Sequence, residues 1–230
     1  MKEIICNSVY FGVTISILSY ILGVQLKKKF GWRLLNPLLV SIVLVISFLL
    51  IFEIDFEAYD KGAKYLSYFL TPATVCLAIP LYQQLELLKK NLKAVMIGIS
   101  AGVLSSFGSI LALSYLFQLT HVQYVTLLPK SITTAIGIGL SQEIGGIPTI
   151  TVAVIIVTGV FGNIFAESIC KLFNIKDPIA VGLSIGTAAH AMGTAKALEM
   201  GEVEGAMSSL SVAVAGILTV ISASFFVNLL

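Results

Sequence analysis

Residues 130–134 read Lys-Ser-Ile-Thr-Thr and follow Pro129. A 2-oxo or 2-hydroxy acid needs a cation or a helix N-terminus for its carboxylate, and hydroxyl donors for the oxygen beside it. Lys130, Ser131, Thr133 and Thr134 offer that set within one turn of chain. The plainer reading is that Lys130 snorkels to a membrane interface and anchors a helix end. His190 lies in the glycine-rich stretch GTAAHAMGTAK, whereas His121 falls between apolar runs. An imidazole titrates close to neutral pH, so His190 is a candidate for proton coupling; its plainer role is a neutral side chain bonded to a neighbouring helix. Thr187 and Thr194 flank it, and Thr71 and Thr74 flank Pro72. As two clusters beside helix-weakening residues they could line a solute site, although a threonine in a membrane helix more often bonds its own turn or a neighbour. Lys196 and Glu199, three apart, read as a helix-surface pair. Glu143 reads as a boundary charge or a gate.

No nucleophile elbow, phosphate loop or metal-ligating His/Cys/Asp pattern is present, so no catalytic residue, cofactor or metal is expected. The three cysteines, Cys6, Cys76 and Cys170, are scattered through apolar surroundings and read as packing residues. A formal net charge of +2 with no basic run gives no sign of a nucleic-acid partner.

The elements that would position these residues are membrane helices. The chain has 230 residues, 57% hydrophobic and 11% charged, with a mean hydropathy of +1.00. Soluble domains carry about a quarter charged residues, so this chain belongs in a bilayer. The expected fold is all-α: one integral membrane domain over residues 1–230, with seven or eight segments of ~20 residues. Spans are expected at about 7–26, 34–52, 65–85, 94–119, 149–173 and 206–230, and the glycine-rich stretch within 175–209, whose helix starts at Asp177–Pro178, supplies one more before the last. Residues 127–148 either cross as a short broken helix or enter and return on one side, and the lysine bias favours return. Lys27, Lys28, Lys29 and Arg33 after the first span, and Lys89, Lys90 and Lys93 after the third, are placed in the cytoplasm by the positive-inside rule. The N-terminus is then external.

Interruptions are also legible. Pro72 and Pro80 sit inside the third span, and each removes a backbone donor. Gly145, Gly146, Gly186 and Gly193 read as hinges or close-approach points. Asp177 before Pro178 reads as an N-cap with proline at N1. Gly98, Ser100, Ala101, Gly102, Ser105, Ser106, Gly108 and Ser109 make the fourth span a packing helix. Residues 65–119 and 179–230 share an order of broken helix, charged turn and small-residue helix. That order suggests the inverted repeat common among secondary transporters.

The motifs FLTPATVCLAIPLY (69–82), LLPKSITT (127–134), GGIPTIT (145–151) and IKDPIAVGLSIGTAAHAMGTAKALEMGEVEGAMSSL (175–210) together resemble the LrgB/CidB family of bacterial membrane proteins. Ala135 stands after the second threonine of SITT where the family pattern leads one to expect proline. The resemblance implies two different roles. Some members are antiholin-like or holin-like partners of LrgA/CidA proteins that modulate murein hydrolase activity and autolysis. Others resemble carriers of small monocarboxylates such as pyruvate, glycolate and glycerate. It further implies a bacterial cell membrane and an LrgA/CidA-like small membrane partner, while the glycine-rich helix faces lead one to expect self-association. The expectation is a secondary transporter of small monocarboxylates, with Lys130 and the 131–134 hydroxyls on the carboxylate and Thr187 to Thr194 on the opposite wall. The alternative is an autolysis modulator that carries no solute.

Overall fold

The computed structural model describes residue 8, residues 10–32 and residues 35–230. Cys6, Arg33 and the expected starts of the first two spans lie outside the described residues. Among those described, all regular secondary structure is helical. Five helical stretches are long and apolar enough to cross a membrane: Tyr10–Phe30, Phe56–Gln83, Leu85–Leu116, Pro148–Leu172 and Glu202–Leu229.

The chain divides into two compact units, residues 1–76 and 77–230. In the first, α1 (Tyr10–Phe30) ends on Lys27, Lys28 and Lys29, and α2 (Pro37–Ile51) begins where the Asn36 side chain accepts from Leu38 and Leu39 N–H. The helices meet at Gly23, which lies directly against the Pro37 backbone. At fifteen residues, α2 spans about 22 Å, short of a ~30 Å hydrocarbon core, because Pro37 fixes its start. Next come α3 (Phe56–Ala63), a 3₁₀ turn at Lys64–Phe69 and α4 (Leu70–Cys76). Ser16 Oγ lies 2.8 Å from Tyr59 Oη and ties α3 to α1.

In the second unit, α5 (Ala78–Gln83) is one and a half turns long and is followed by α6 (Leu85–Leu116), 32 residues without interruption. The expected charged turn before residue 94 is therefore absent. Lys89, Lys90 and Lys93 ride on the first turns of α6, because LELLKKNLKAV holds no glycine or proline to stop a helix. Pro72 and Pro80 occupy the third positions of α4 and α5. A helix needs no N–H partner in its first turn, so each proline marks a restart rather than a kink.

Residues 121–143 form a helical hairpin: α7 (His121–Leu127), a turn over 128–133, and α8 (Thr134–Glu143). α7 opens on a capping box of Thr120 and Gln123. α9 (Pro148–Leu172) follows. Thr126 Oγ1 accepts from Ile147 N–H at 2.9 Å, and its carbonyl accepts from Thr151 Oγ1 at 2.9 Å. Ser141, late in α8, bonds the same Thr151 at 2.7 Å, while Gly137, early in α8, packs on Ile155 and Pro129. α8 therefore runs antiparallel to α9.

α10 (Pro178–Met200) was expected to cross the membrane, but it folds back on itself. Ala189 (φ −129°, ψ 18°) and His190 (φ 43°, ψ −144°) leave helical geometry. On α9, Gly162 faces Ala189 and Gly159 faces His190 and Met192. Further along α9, Glu167 reaches Lys196, and Ala166 and Cys170 share a core cluster with Val181, Ile185 and Ala197. Only a reversal at Ala189–His190 puts residues 181–185 and 196–197 beside the same stretch of α9. Each limb, 178–188 and 191–200, measures about 16 Å or less, half a bilayer core. The fold thus holds two hairpin-plus-helix sets, residues 121–172 and 178–226. The second set ends in α11 (Glu202–Phe226), which runs opposite to α9. This pairing replaces the repeat suggested between residues 65–119 and 179–230.

Candidate functional site

The turn of the first hairpin and the first limb of the second border one cavity of about 720 Å³ in the second unit. Its long wall is a stripe of α6 at helical spacing: Asn91, Ala94, Gly98, Gly102, Ser105, Ser106 and Ser109. α6 and the first limb of α10 run in the same direction, since Gly98 meets Leu183 and Gly102 meets Thr187. The cavity therefore has a lysine-rich end at Asn91 and Asp177, and an inner end at Lys130 and Ser131.

At the inner end Lys130 Nζ lies 2.9 Å from Ser131 Oγ, to which it donates, and Ser131 Oγ is 3.4 Å from Ser106 Oγ. Among the described residues no carboxylate lies within ion-pair distance of Lys130. A half-buried ammonium held by a hydroxyl, with a row of serines beside it, supplies the kind of donors that a small anion requires. Thr187 lines the same cavity; it is 6% exposed, and its Oγ1 has no hydrogen-bond partner. A buried hydroxyl left without a partner costs about 1–3 kcal/mol, and this oxygen is closed off from the cavity that the rest of the residue borders.

The structure distributes the other predicted residues differently. Thr133 is the N-cap of α8 and makes no side-chain cap bond; Thr134 opens the helix, and neither lines the cavity. Thr194 is fully buried beneath it, bonding the His190 carbonyl at 3.0 Å and Ser208 Oγ at 2.9 Å. Thr71 and Thr74 belong to α4 of the other unit. Thr71 is exposed, and the Thr74 side chain lies outside what is described. His190 forms the tip of the second hairpin, with Nε2 3.0 Å from the Ile155 carbonyl. A carbonyl only accepts, so Nε2 carries a proton there. Gly145 (φ 77°) forms the turn into α9. Gly146 abuts Thr126, and Gly186 and Gly193 sit in helical backbone as close-approach points, Gly186 against Ser208 and Gly193 against Ile185. The backbone break falls on Ala189–His190 instead. Glu143 is exposed at the end of α8. Lys196 bridges Glu199 at 3.2 Å and Glu167 at 3.7 Å.

In the sequence the α6 stripe reads as a packing face alone. The usable signal was its period: small and hydroxyl residues at 98, 102, 105, 106 and 109 share one helix face.

An all-helical protein with several helices long and apolar enough to span a membrane, and two helical hairpins that border one cavity beside a long helix, belongs to the polytopic membrane proteins. Residues 16–229 match the LrgB-like family, and the chain belongs to it. It is 40% identical over 218 residues to the antiholin-like protein LrgB of Bacillus mycoides (strain KBAB4), covering 94% of this chain and 95% of that one. The same identity and coverage hold for the antiholin-like protein LrgB of Bacillus cereus (strain B4264) and of Bacillus anthracis (strain CDC 684 / NRRL 3495). No solved structure matches the chain.

Proposed function

We propose that this protein is a secondary carrier of small monocarboxylates in a bacterial cell membrane, binding the carboxylate at Lys130. The observation that carries the reading is the inner end of the cavity: an ammonium with no carboxylate partner among the described residues, and Ser131 and Ser106 beside it. The architecture supports the same reading. Lys89, Lys90 and Lys93 of α6 and Lys176 before α10 lie at one end of the unit, which the positive-inside rule assigns to the cytoplasm. The first hairpin then enters from outside and the second from the cytoplasm, as inverted repeats of broken helices do in carriers with a midplane site. An imidazole at the tip of the second hairpin is a candidate for coupling protons to transport. An LrgA/CidA-like small membrane protein and a second copy of this chain are the proposed partners.

The printed names of the relatives favour a second reading over carriage: an antiholin-like membrane protein that modulates murein hydrolase activity. The two separate in one experiment. Purified protein in proteoliposomes, with and without the small partner, is given labelled pyruvate, lactate or glycolate under a pH gradient. Saturable uptake that Lys130→Ala abolishes supports carriage. No saturable uptake in any condition, with or without the partner, overturns carriage and leaves the modulator reading in front.

A further inference from the structure

We propose that the second hairpin is the moving gate of this carrier and the first hairpin its fixed floor, an inference that rests on the carriage reading above. Both hairpins touch α9 at one residue: Ile155 packs its side chain on Gly137 in α8 of the first hairpin and offers its carbonyl to His190 at the tip of the second. The two attachments differ in kind.

The first hairpin is bolted to α9 by buried hydroxyls. Thr126, Ser141 and Thr151 are all 2% exposed or less. Three bonds join them to each other and to the Ile147 amide. Sliding this hairpin along α9 would leave several buried polar groups without partners at once.

The second hairpin is held at its tip by one buried and one part-buried hydrogen bond, and lower down by an ion pair whose members can exchange partners. Its tip carries the His190–Ile155 bond and a bond from Asn163 Nδ2 to the Met192 carbonyl at 2.8 Å. Between them, Gly159 and Gly162 present a smooth face to Ala189, His190 and Met192. The ion pair across the interface, Glu167 to Lys196 at 3.7 Å, is the longest of its cluster. Each partner has a substitute on its own helix: Lys171 at 2.6 Å for Glu167, and Glu199 at 3.2 Å for Lys196. Parting the pair leaves neither charge alone. The gate travels with the start of α11, because Gly182 and Gly186 seat on the backbone of Glu204 and Ser208, and Thr194 bonds Ser208. The far end of α11 and the 3₁₀ turn after it (Val227–Leu229) are pinned to the first hairpin and to α6, where Tyr124 bonds the Phe226 carbonyl and Tyr115 the Leu229 carbonyl. That end is the pivot. Swinging the hairpin off α9 carries Thr187 and Ala188 with it and opens the cavity wall.

Two cross-links test this in protein whose native cysteines are replaced by serine. Asn163→Cys with Met192→Cys, bridged by a short bis-methanethiosulfonate, ties the second hairpin to α9. Ser141→Cys with Thr151→Cys, oxidised to a disulfide, ties the first. The proposal expects pyruvate uptake to fall at least tenfold with the first bridge and recover on reduction, and to stay within twofold with the second. Equal loss from both, or none from either, overturns it. A second arm needs no transport. Glu167→Gln should speed amide hydrogen exchange over residues 190–200 while leaving 134–143 unchanged, and equal changes in both segments also overturn the gate. Absent uptake before any cross-linking counts against carriage itself, and the exchange arm then judges the motion alone.

Discussion

His190 offers a prediction in which backbone and side chain can be separated. At φ 43° and ψ −144° it occupies a conformation that L residues with a side chain rarely adopt. Holding a non-glycine residue there costs about 1–3 kcal/mol. His190→Ala keeps that strain and loses the imidazole bond to Ile155; His190→Gly loses the bond but releases the strain. Glycine returns about 0.4–1 kcal/mol through its freer unfolded chain, so the glycine variant should be the more stable by about 1 kcal/mol. For a chain of this size that is roughly 2–4 °C in Tm. Thermal unfolding of the two purified variants in the same detergent, followed by circular dichroism, measures the difference directly. An alanine variant melting at or above the glycine variant would refute the claim that this hairpin tip is strained.

Thr187→Val should raise stability by about 1 kcal/mol or more, because it removes a buried hydroxyl without a partner. A variant that melts below the unmodified protein would contradict the assignment. Thr126→Val strips the acceptor from the Ile147 amide and should cost about 1–3 kcal/mol. Thr126→Ser should restore most of it, which parallel melting curves would show. Gly186→Ala puts a methyl 2.8 Å from Ser208 Cα and should cost about 1–3 kcal/mol by overpacking, read as a lower melting temperature than Gly108→Ala, where no atom stands within 4 Å.

Membrane class, the N-cap at Asp177 and the polar character of the 130–131 turn were all legible in the sequence, because composition and capping chemistry are local. The reversal of α10 was not. Nothing in TAAHAMG forbids a continuous helix by propensity, and the turn is imposed by α9 and α11, whose glycines at 159 and 162 and serine at 208 accept both limbs on one side. The lysines at 89, 90 and 93 misled in the opposite way. Charge suggested an interhelical turn, yet lysine is a good helix former and nothing in that run stops a helix. The site was half legible for a related reason. Lys130 and Ser131 announce themselves by type. Thr133 and Thr194 share the type but face an α-helix start and a buried serine, a difference of orientation that only tertiary packing sets.

The most direct measurement is calorimetric titration of pyruvate and glycolate into the protein held in lipid nanodiscs, beside Lys130→Ala of equal melting temperature. The account predicts saturable binding to the unmodified chain and a Kd at least tenfold weaker in the variant. Binding that Lys130→Ala leaves unchanged, or none to either protein, would contradict it.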